Sequence, residues 1–332
     1  MSITRREFAQ ITLAGAPAVA ALLRGDGAAA ADAAGAVSRW AGVQVGLNVP
    51  YSFGAGNNMA AEEVLKRALE VGVGSLELRG QPVENFLGSP TVRAADAAAK
   101  ARAAGGPAAP PAAPPTPEQK AEVKKWRLSA PAGKIKELRQ IYEKAGVVVD
   151  ILKVDDIFTV SDEEVDWYFQ MARDLGARAI STELPEKAGE TKRLGAFADK
   201  HKLFMAYHHH AQAGAARYEE VFTEAKYNGA NIDIGHWTAT QNASPLPFIE
   251  KHADRIPHIH VKDRKLGTNG GENTPFGQGD TQITPILQAI RDRKWSIRPV
   301  VEFEYKVPEG SDRVSEIKKS LAFCKGALLA KA

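Results

Sequence analysis

Six of the eight histidines in this 332-residue sequence, His208, His209, His210, His236, His258 and His260, fall on or just after three short strand-like runs, leaving only His201 and His252 in helix-like segments. Carboxylates recur in the same kind of place: Glu77 in Leu-Glu-Leu-Arg, Glu183 in Ser-Thr-Glu-Leu-Pro, Asp233 in Asn-Ile-Asp-Ile-Gly-His, Asp263 in His-Ile-His-Val-Lys-Asp and Glu302 in Val-Val-Glu-Phe-Glu. Neutral imidazoles and carboxylates without a thiolate make a mixed nitrogen and oxygen donor set. Such a set suits one divalent ion, Mn²⁺, Co²⁺, Mg²⁺ or Zn²⁺, without choosing among them.

These residues need elements that bring them together. β-branched runs alternate with longer segments of helical periodicity, which is the pattern of a parallel sheet built from βα units. Eight strands are expected, at Val43–Asn48, Ser75–Arg79, Val147–Lys153, Ala179–Glu183, Leu203–Tyr207, Asn231–Ile234, Pro257–Val261 and Pro299–Phe303. Helices are expected at Ala60–Gly72, Ala132–Gly146, Asp162–Gly176, Lys192–His201, Tyr218–Tyr227 and Thr284–Arg291, several ending in the glycine of a left-handed cap. Eight βα units predict a closed (β/α)₈ TIM barrel of the α/β class, and Gly54 and Gly56 do not match the phosphate-loop fingerprint of an open doubly wound sheet.

In such a barrel, function gathers at the C-terminal ends of strands, where these side chains fall. Alternation puts His258 and His260 on one face, and Glu302 and Glu304 likewise. His260 and Glu302 close their apolar runs and are the better ligands. His258 sits deeper, where a histidine satisfied by backbone carbonyls is expected, and Glu304 lies further into the loop. Asp233 and His236, three apart at a strand end, can serve metal and substrate as the chain turns.

The chain is 44% hydrophobic and 25% charged, ordinary globular proportions, and it exceeds the roughly 250 residues typical of one barrel. A single domain over residues 37–332 with one insertion fits. The insertion follows strand two at residues 94–117, rich in Ala, Pro and Gly, and cannot bury a core of its own. Residues 1–36 read as a twin-arginine export signal: Thr4-Arg5-Arg6-Glu7-Phe8, a mildly apolar run from Ile11 to Leu23, then A-x-A-like sites. This predicts a periplasmic or otherwise exported protein. No later segment has the apolar length of a membrane span. Cys324 is the only cysteine, so no intramolecular disulfide can form. Removing the leader takes three charges of each sign and leaves the formal charge at +3, which gives no reason to expect a nucleic-acid partner. Homo-oligomerisation is left open.

From Leu203 onward, Phe-Met-Ala-Tyr-His-His-His, Asp-Ile-Gly-His, His-Ile-His-Val-Lys-Asp, Phe-Gly-Gln-Gly-Asp and Val-Val-Glu-Phe-Glu resemble, in order and spacing, the xylose isomerase-like sugar phosphate isomerase/epimerase superfamily. The similarity covers nearly the whole chain after the leader. It is closest to the exported branch with a Tyr-His-Asn-His motif on strand five. The resemblance implies a metal aspartate at Asp233, a substrate-facing histidine at His236, a metal histidine at His260 and a final glutamate at Glu302, with Lys262 matching the lysine of a His-Val-Lys-Asp motif. It implies chemistry in which a metal-chelated sugar loses a C–H proton to form an enediolate.

The chain departs from the ketose-epimerase pattern at strand five, which offers Tyr207 and three histidines in place of a metal-binding glutamate. Glu183 or a histidine must replace it, and Glu183 on strand four is expected as the fourth metal ligand beside Asp233, His260 and Glu302. His208 and His210 are expected near substrate or metal, and the role of His209 stays undecided. The leading expectation is a metal-dependent isomerase or epimerase acting on a small free or oxidised sugar, with Glu302 moving the proton and His208, His210, His236 and Lys262 assisting. Its alternatives are a lyase or dehydratase on keto-sugars or keto-glycosides, and an exported sugar-binding protein without turnover. An endonuclease-like phosphodiesterase shares the barrel but needs more metals and a basic groove.

Overall fold

The computed structural model describes residues 37–54, 59–91, 115–155, 157–211 and 214–331. The expected leader and the part of the expected insertion up to residue 114 lie outside the described residues. Eight parallel strands close into a barrel: β1 (Gly46–Val49), β2 (Ser75–Arg79), β3 (Val148–Lys153), β4 (Ala179–Glu183), β5 (Phe204–His208), β6 (Asn228–Asp233), β7 (His258–Val261) and β8 (Arg298–Val301). Each pairs with its neighbours in sequence, and β8 returns to pair with β1. This is a (β/α)₈ barrel, as the alternating pattern predicts.

Three boundaries differ from expectation in ways that matter. The fifth strand runs one residue further and so includes His208. The sixth begins earlier, at Asn228, and stops at Asp233, because Ile234 opens a helix. Val43 and Gln44 belong to an antiparallel hairpin with Arg39 and Trp40, not to β1.

The helices pack outside. They are α1 (Ala61–Val71), α2 (Gly80–Phe86), α3 (Pro117–Ser129), α4 (Ala132–Lys144), α5 (Asp162–Leu175), α6 (Glu190–His201), α7 (Ala215–Glu224), α8 (Ile234–Gln241), α9 (Leu246–His252), α10 (Ile283–Asp292) and α11 (Arg313–Leu329). Local chemistry sets several ends. Ser161 and Glu164 form a capping box at the start of α5, and Gly176 ends it with φ of 82°. Helix α3, unforeseen because no face of it is apolar enough to bury, starts on a Thr116 and Gln119 capping box. Its Arg127 pairs with Glu84 at 3.1 Å and Glu164 at 2.8 Å, and Trp126 meets Trp167 edge-on.

The main apolar core lies between the strands and this outer layer, and a small second cluster of Ile151, Ala179 and Ala206 fills the barrel interior. Strand alternation continues the same inward face upward from that cluster. Lys153, Ser181, Glu183, His208, Asn231, Asp233, His260 and Glu302 follow, and nearly all of them are buried.

Two helical glycines should respond oppositely to alanine. A Cβ on Gly195 in α6 would lie 2.5 Å from the Ala225 Cβ, whereas one on Gly326 in α11 meets nothing within 4 Å. Gly326→Ala is expected to stabilise by about 1 kcal/mol through helix propensity. Gly195→Ala is expected to destabilise by about 1–3 kcal/mol through overpacking, both read by urea denaturation.

Candidate metal centre

The register carries the site. Asp233 on β6 stands opposite His260 on β7, and Glu183 on β4 stands opposite His208 on β5. Glu302 follows β8 directly, and its backbone N–H donates to the carbonyl of Val261 on β7. Potential ligand atoms of His208, Asp233, His260 and Glu302 lie within 4.8 Å of one another, all four residues buried.

Each of these side chains is held by one atom and presents another. Asp233 caps α8, its Oδ1 accepting from the His236 N–H at 2.7 Å. Asn48 on β1 donates to Glu302 Oε1 at 2.8 Å. His260 Nε2 donates to Glu77 Oε2 at 2.6 Å, which turns its Nδ1 toward Glu302 Oε2 at 3.4 Å and Asp233 Oδ2 at 3.8 Å. His208 Nδ1 and His260 Nδ1 are buried without an aligned hydrogen-bond partner, and the presented oxygens, Asp233 Oδ2 and Glu302 Oε2, are buried against the Lys262 ammonium. Buried nitrogens are rarely left this way, and two of them converging with two carboxylate oxygens fit a divalent cation, which would share those oxygens with Lys262. Glu77 stands behind His260 as the carboxylate that sets a ligating ring's orientation.

The electrostatics agree with a place built for positive charge. Burial disfavours the His260 imidazolium, but Glu77 and Glu302 outweigh it and lift the pKa to about 10. Burial likewise opposes the Glu77 carboxylate, yet His260, His258 and Lys153 hold it at about 2. His208 goes the other way: burial, then His260 and Lys153, keep it well below the ordinary histidine range. It is therefore a neutral imidazole with a lone pair to offer.

Lys262 enters from the side. Its Nζ lies 2.9 Å from Asp233 Oδ2, 2.6 Å from Glu302 Oε2 and 2.5 Å from Glu304 Oε2. Burial works against the ammonium, but these three carboxylates hold its pKa above the ordinary lysine value. The chain comes this close because Gly235 has no side chain, since a Cβ there would sit 2.5 Å from Lys262 Cγ. For Glu302, burial raises proton affinity, but Lys262 and His260 bring it well below the ordinary range. Glu302 is consequently a good ligand and a weak base.

Of the residues expected to ligate, Asp233, His260 and Glu302 come together and Glu183 does not join them. Lys153, buried on the neighbouring strand, binds Glu183 Oε1 at 2.7 Å, and His210 Nδ1 lies 3.4 Å from Glu183 Oε2. His208 stands in the fourth position instead. The rings of His208, His210 and His236 pack edge-on around the pocket, with centroids 4.7 to 6.0 Å apart. His236 contacts Lys262 through Nε2 at 3.1 Å and Arg264 through Nδ1 at 2.5 Å. His209 points away, its Nδ1 3.0 Å from the Tyr218 hydroxyl.

His258 is buried as expected but bonds no backbone carbonyl; its Nε2 lies 3.6 Å from Glu77 Oε2. Asp263 serves the loop that follows it, accepting from the N–H groups of Gly277, Gly279 and Thr281. Glu304, set aside as a loop residue, turns back to Lys262 and accepts from the Tyr51 hydroxyl at 2.7 Å. Glu77 was visible as a strand-end carboxylate, whereas Lys153 and Asn48 carried no sequence signal beyond their strand parity.

The chain belongs to the xylose isomerase-like TIM barrel family, whose profile matches residues 115–327. Among curated proteins it is similar to the inosose dehydratase of Bacillus velezensis, 29% identical over 132 residues covering 38% of this chain and 37% of the relative. The inosose dehydratase of Salmonella typhimurium is 35% identical over 131 residues, 33% of this chain and 43% of the relative. The chain thus spans less than half the length of these curated relatives. Among solved structures, a xylose isomerase domain protein of Alicyclobacillus acidocaldarius superposes with a TM-score of 0.58 at 12% identity, covering 86% of this chain and 99% of that one. A D-psicose 3-epimerase solved with D-fructose gives 0.54 at 11%, covering 85% and 98%. A protein of this fold from Mycobacterium smegmatis in complex with magnesium gives 0.52 at 12%, covering 86% and 97%. These likenesses show the fold.

Titration with Mn²⁺ after chelation should find a site that Asp233→Ala abolishes and Glu183→Gln leaves intact. Glu77→Gln should weaken it by about 10- to 100-fold, as loss of a partner behind a ligating histidine does. Tight binding in Asp233→Ala would sink the assignment.

Proposed function

We propose that this protein is a metal-dependent lyase that removes water from a keto-sugar or a similar polyhydroxylated ketone. The observation that carries this reading is the line Lys153, Glu183, His210 beside the four-residue metal centre. A divalent ion at that centre would supply Lewis-acid polarisation of a ketone oxygen and so acidify the neighbouring C–H. His210, its side chain about half exposed and its Nδ1 3.4 Å from Glu183 Oε2, is placed to take that proton. The same imidazolium then gives it to the hydroxyl on the next carbon, whose C–O bond breaks and which leaves as water. His236, whose ring packs 4.7 Å from that of His210, would hold substrate hydroxyls together with Lys262 behind it.

One oriented base suffices for that sequence. Epimerisation by protonation from the opposite face needs a second base, and Glu302, the remaining carboxylate of the centre, has its proton affinity suppressed by Lys262 and His260. The names of the two dehydratase relatives support the same choice. An isomerase or epimerase is the second reading, favoured by the adjacency of His208 and His210, whose ring centroids are 4.8 Å apart and which can together take a proton and return it elsewhere. We also place the working protein outside the inner membrane, which the leader motif around Arg5 and Arg6 supports. Among the described residues no helix is long and apolar enough to cross a membrane.

Incubating the manganese-loaded protein with a panel of keto-sugars in D₂O should yield a dehydrated product seen by NMR. Glu183→Gln and His210→Ala should each lower kcat by about 10²-fold or more while metal content stays unchanged. A sugar altered only in configuration would replace the lyase with the isomerase, and binding without any change would remove turnover altogether. Replacing both Arg5 and Arg6 by lysine should leave the protein in the cytoplasmic fraction; unimpaired export would contradict the assigned leader.

A further inference from the structure

The opposite end of the barrel holds a second concentration of charge with a different composition. Arg178 immediately precedes β4, Arg298 opens β8, Lys294 and Ser296 lie between α10 and β8, and Arg39 and Gln44 belong to the N-terminal hairpin. These side chains line a cavity of about 310 Å³ at the N-terminal ends of the strands, away from the metal centre. Its cations outnumber its acids. Asp150 pairs with Arg298 and also accepts from the Ser75 hydroxyl at 2.8 Å. Among the described residues, no carboxylate lies within ion-pair distance of Arg39, Arg178 or Lys294.

Arg178 is the decisive group. Its guanidinium is partly buried and pinned by Ser296, one nitrogen on the carbonyl at 2.5 Å and another on the hydroxyl at 2.9 Å. Burial, then repulsion from Arg298, lowers its pKa, with Asp150 offsetting only part of that. Arg298 Nε is buried against the Asp150 carboxylate, which leaves Arg178 as the guanidinium without an acid of its own among the described residues. Partly desolvated cations placed together cost stability unless an anion joins them. Guanidinium forks match tetrahedral oxyanions in geometry as well as charge.

We propose that this cavity is a binding site for a tetrahedral oxyanion, a phosphate or sulfate group, held by Arg178 and Arg298 with Lys294 and Arg39 closing over it. The group can arrive as the free ion or on an anionic lipid headgroup, and the shared chemistry is the same. The cavity's concave shape favours the free ion.

Calorimetric titration of the protein with inorganic phosphate and with sulfate is the test, run beside vesicles containing phosphatidylglycerol. Phosphate or sulfate should bind, and Arg178→Gln and Lys294→Gln should each weaken binding by about tenfold or more. Asp233→Ala should leave it unchanged, which separates this cavity from the metal centre. Lys294 is exposed, so its replacement keeps the fold even if Arg178→Gln does not. Vesicle binding sensitive to Lys294→Gln without binding of the free ions would assign the headgroup as the source. Failure of both ligands, or binding indifferent to both arginine and lysine replacements, would overturn the proposal.

Discussion

Barrel closure is the constraint on which the rest depends. β8 pairs with β7 through four residues, from Arg298 opposite His258 to Val301 opposite Val261, and with β1 through Val300 opposite Gly46 and Val301 opposite Leu47. That short ladder brings Glu302 from the end of the chain to Asn48 near its beginning and to His260 on the other flank. Once the sheet is a cylinder, every second residue must point into a space with no bulk water, and here many of those residues are ionisable. Their burial is tolerable because opposite charges alternate: Lys153 against Glu183, Glu77 against His260, Lys262 against Asp233, Glu302 and Glu304.

The same arrangement sorts the carboxylates by role. Asp233 and Glu302 each spend one oxygen on a neutral N–H donor and turn the other toward the centre, where Lys262 meets it. Glu183 is neutralised by Lys153 and lies 3.4 Å from His210 Nδ1, outside the four-residue cluster. Glu77 sits behind its histidine. Four carboxylates thus differ in what they could do at the centre, two as candidate ligands and two held back by a lysine or a histidine, according to the donor each meets first.

Much of the fold was legible because both periodicities are clean, and Gly72 and Gly176 mark helix ends where they are expected. Asp233, His260 and Glu302 could be placed near one another because each ends an apolar run. The choice between Glu183 and His208 could not be made this way. They are opposite in register and both face inward, so parity treats them alike, and only Lys153 on β3 draws Glu183 aside. The pairing of Glu77 with His260 joins strands β2 and β7 across the barrel interior, a contact that no local pattern encodes. Helix α3 escaped because it is held by Arg127 ion pairs and a tryptophan edge rather than by an apolar stripe.

Asp233 accepts the His236 amide, in the first turn of α8, with one oxygen while presenting the other to the centre. Helix initiation and ion occupancy therefore draw on one side chain, and strengthening either polarises the carboxylate shared with the other. The His236 amide becomes a built-in reporter of this linkage. Its hydrogen exchange should follow the state of the centre, and the helix that carries His236 would gain firmness from an ion held there.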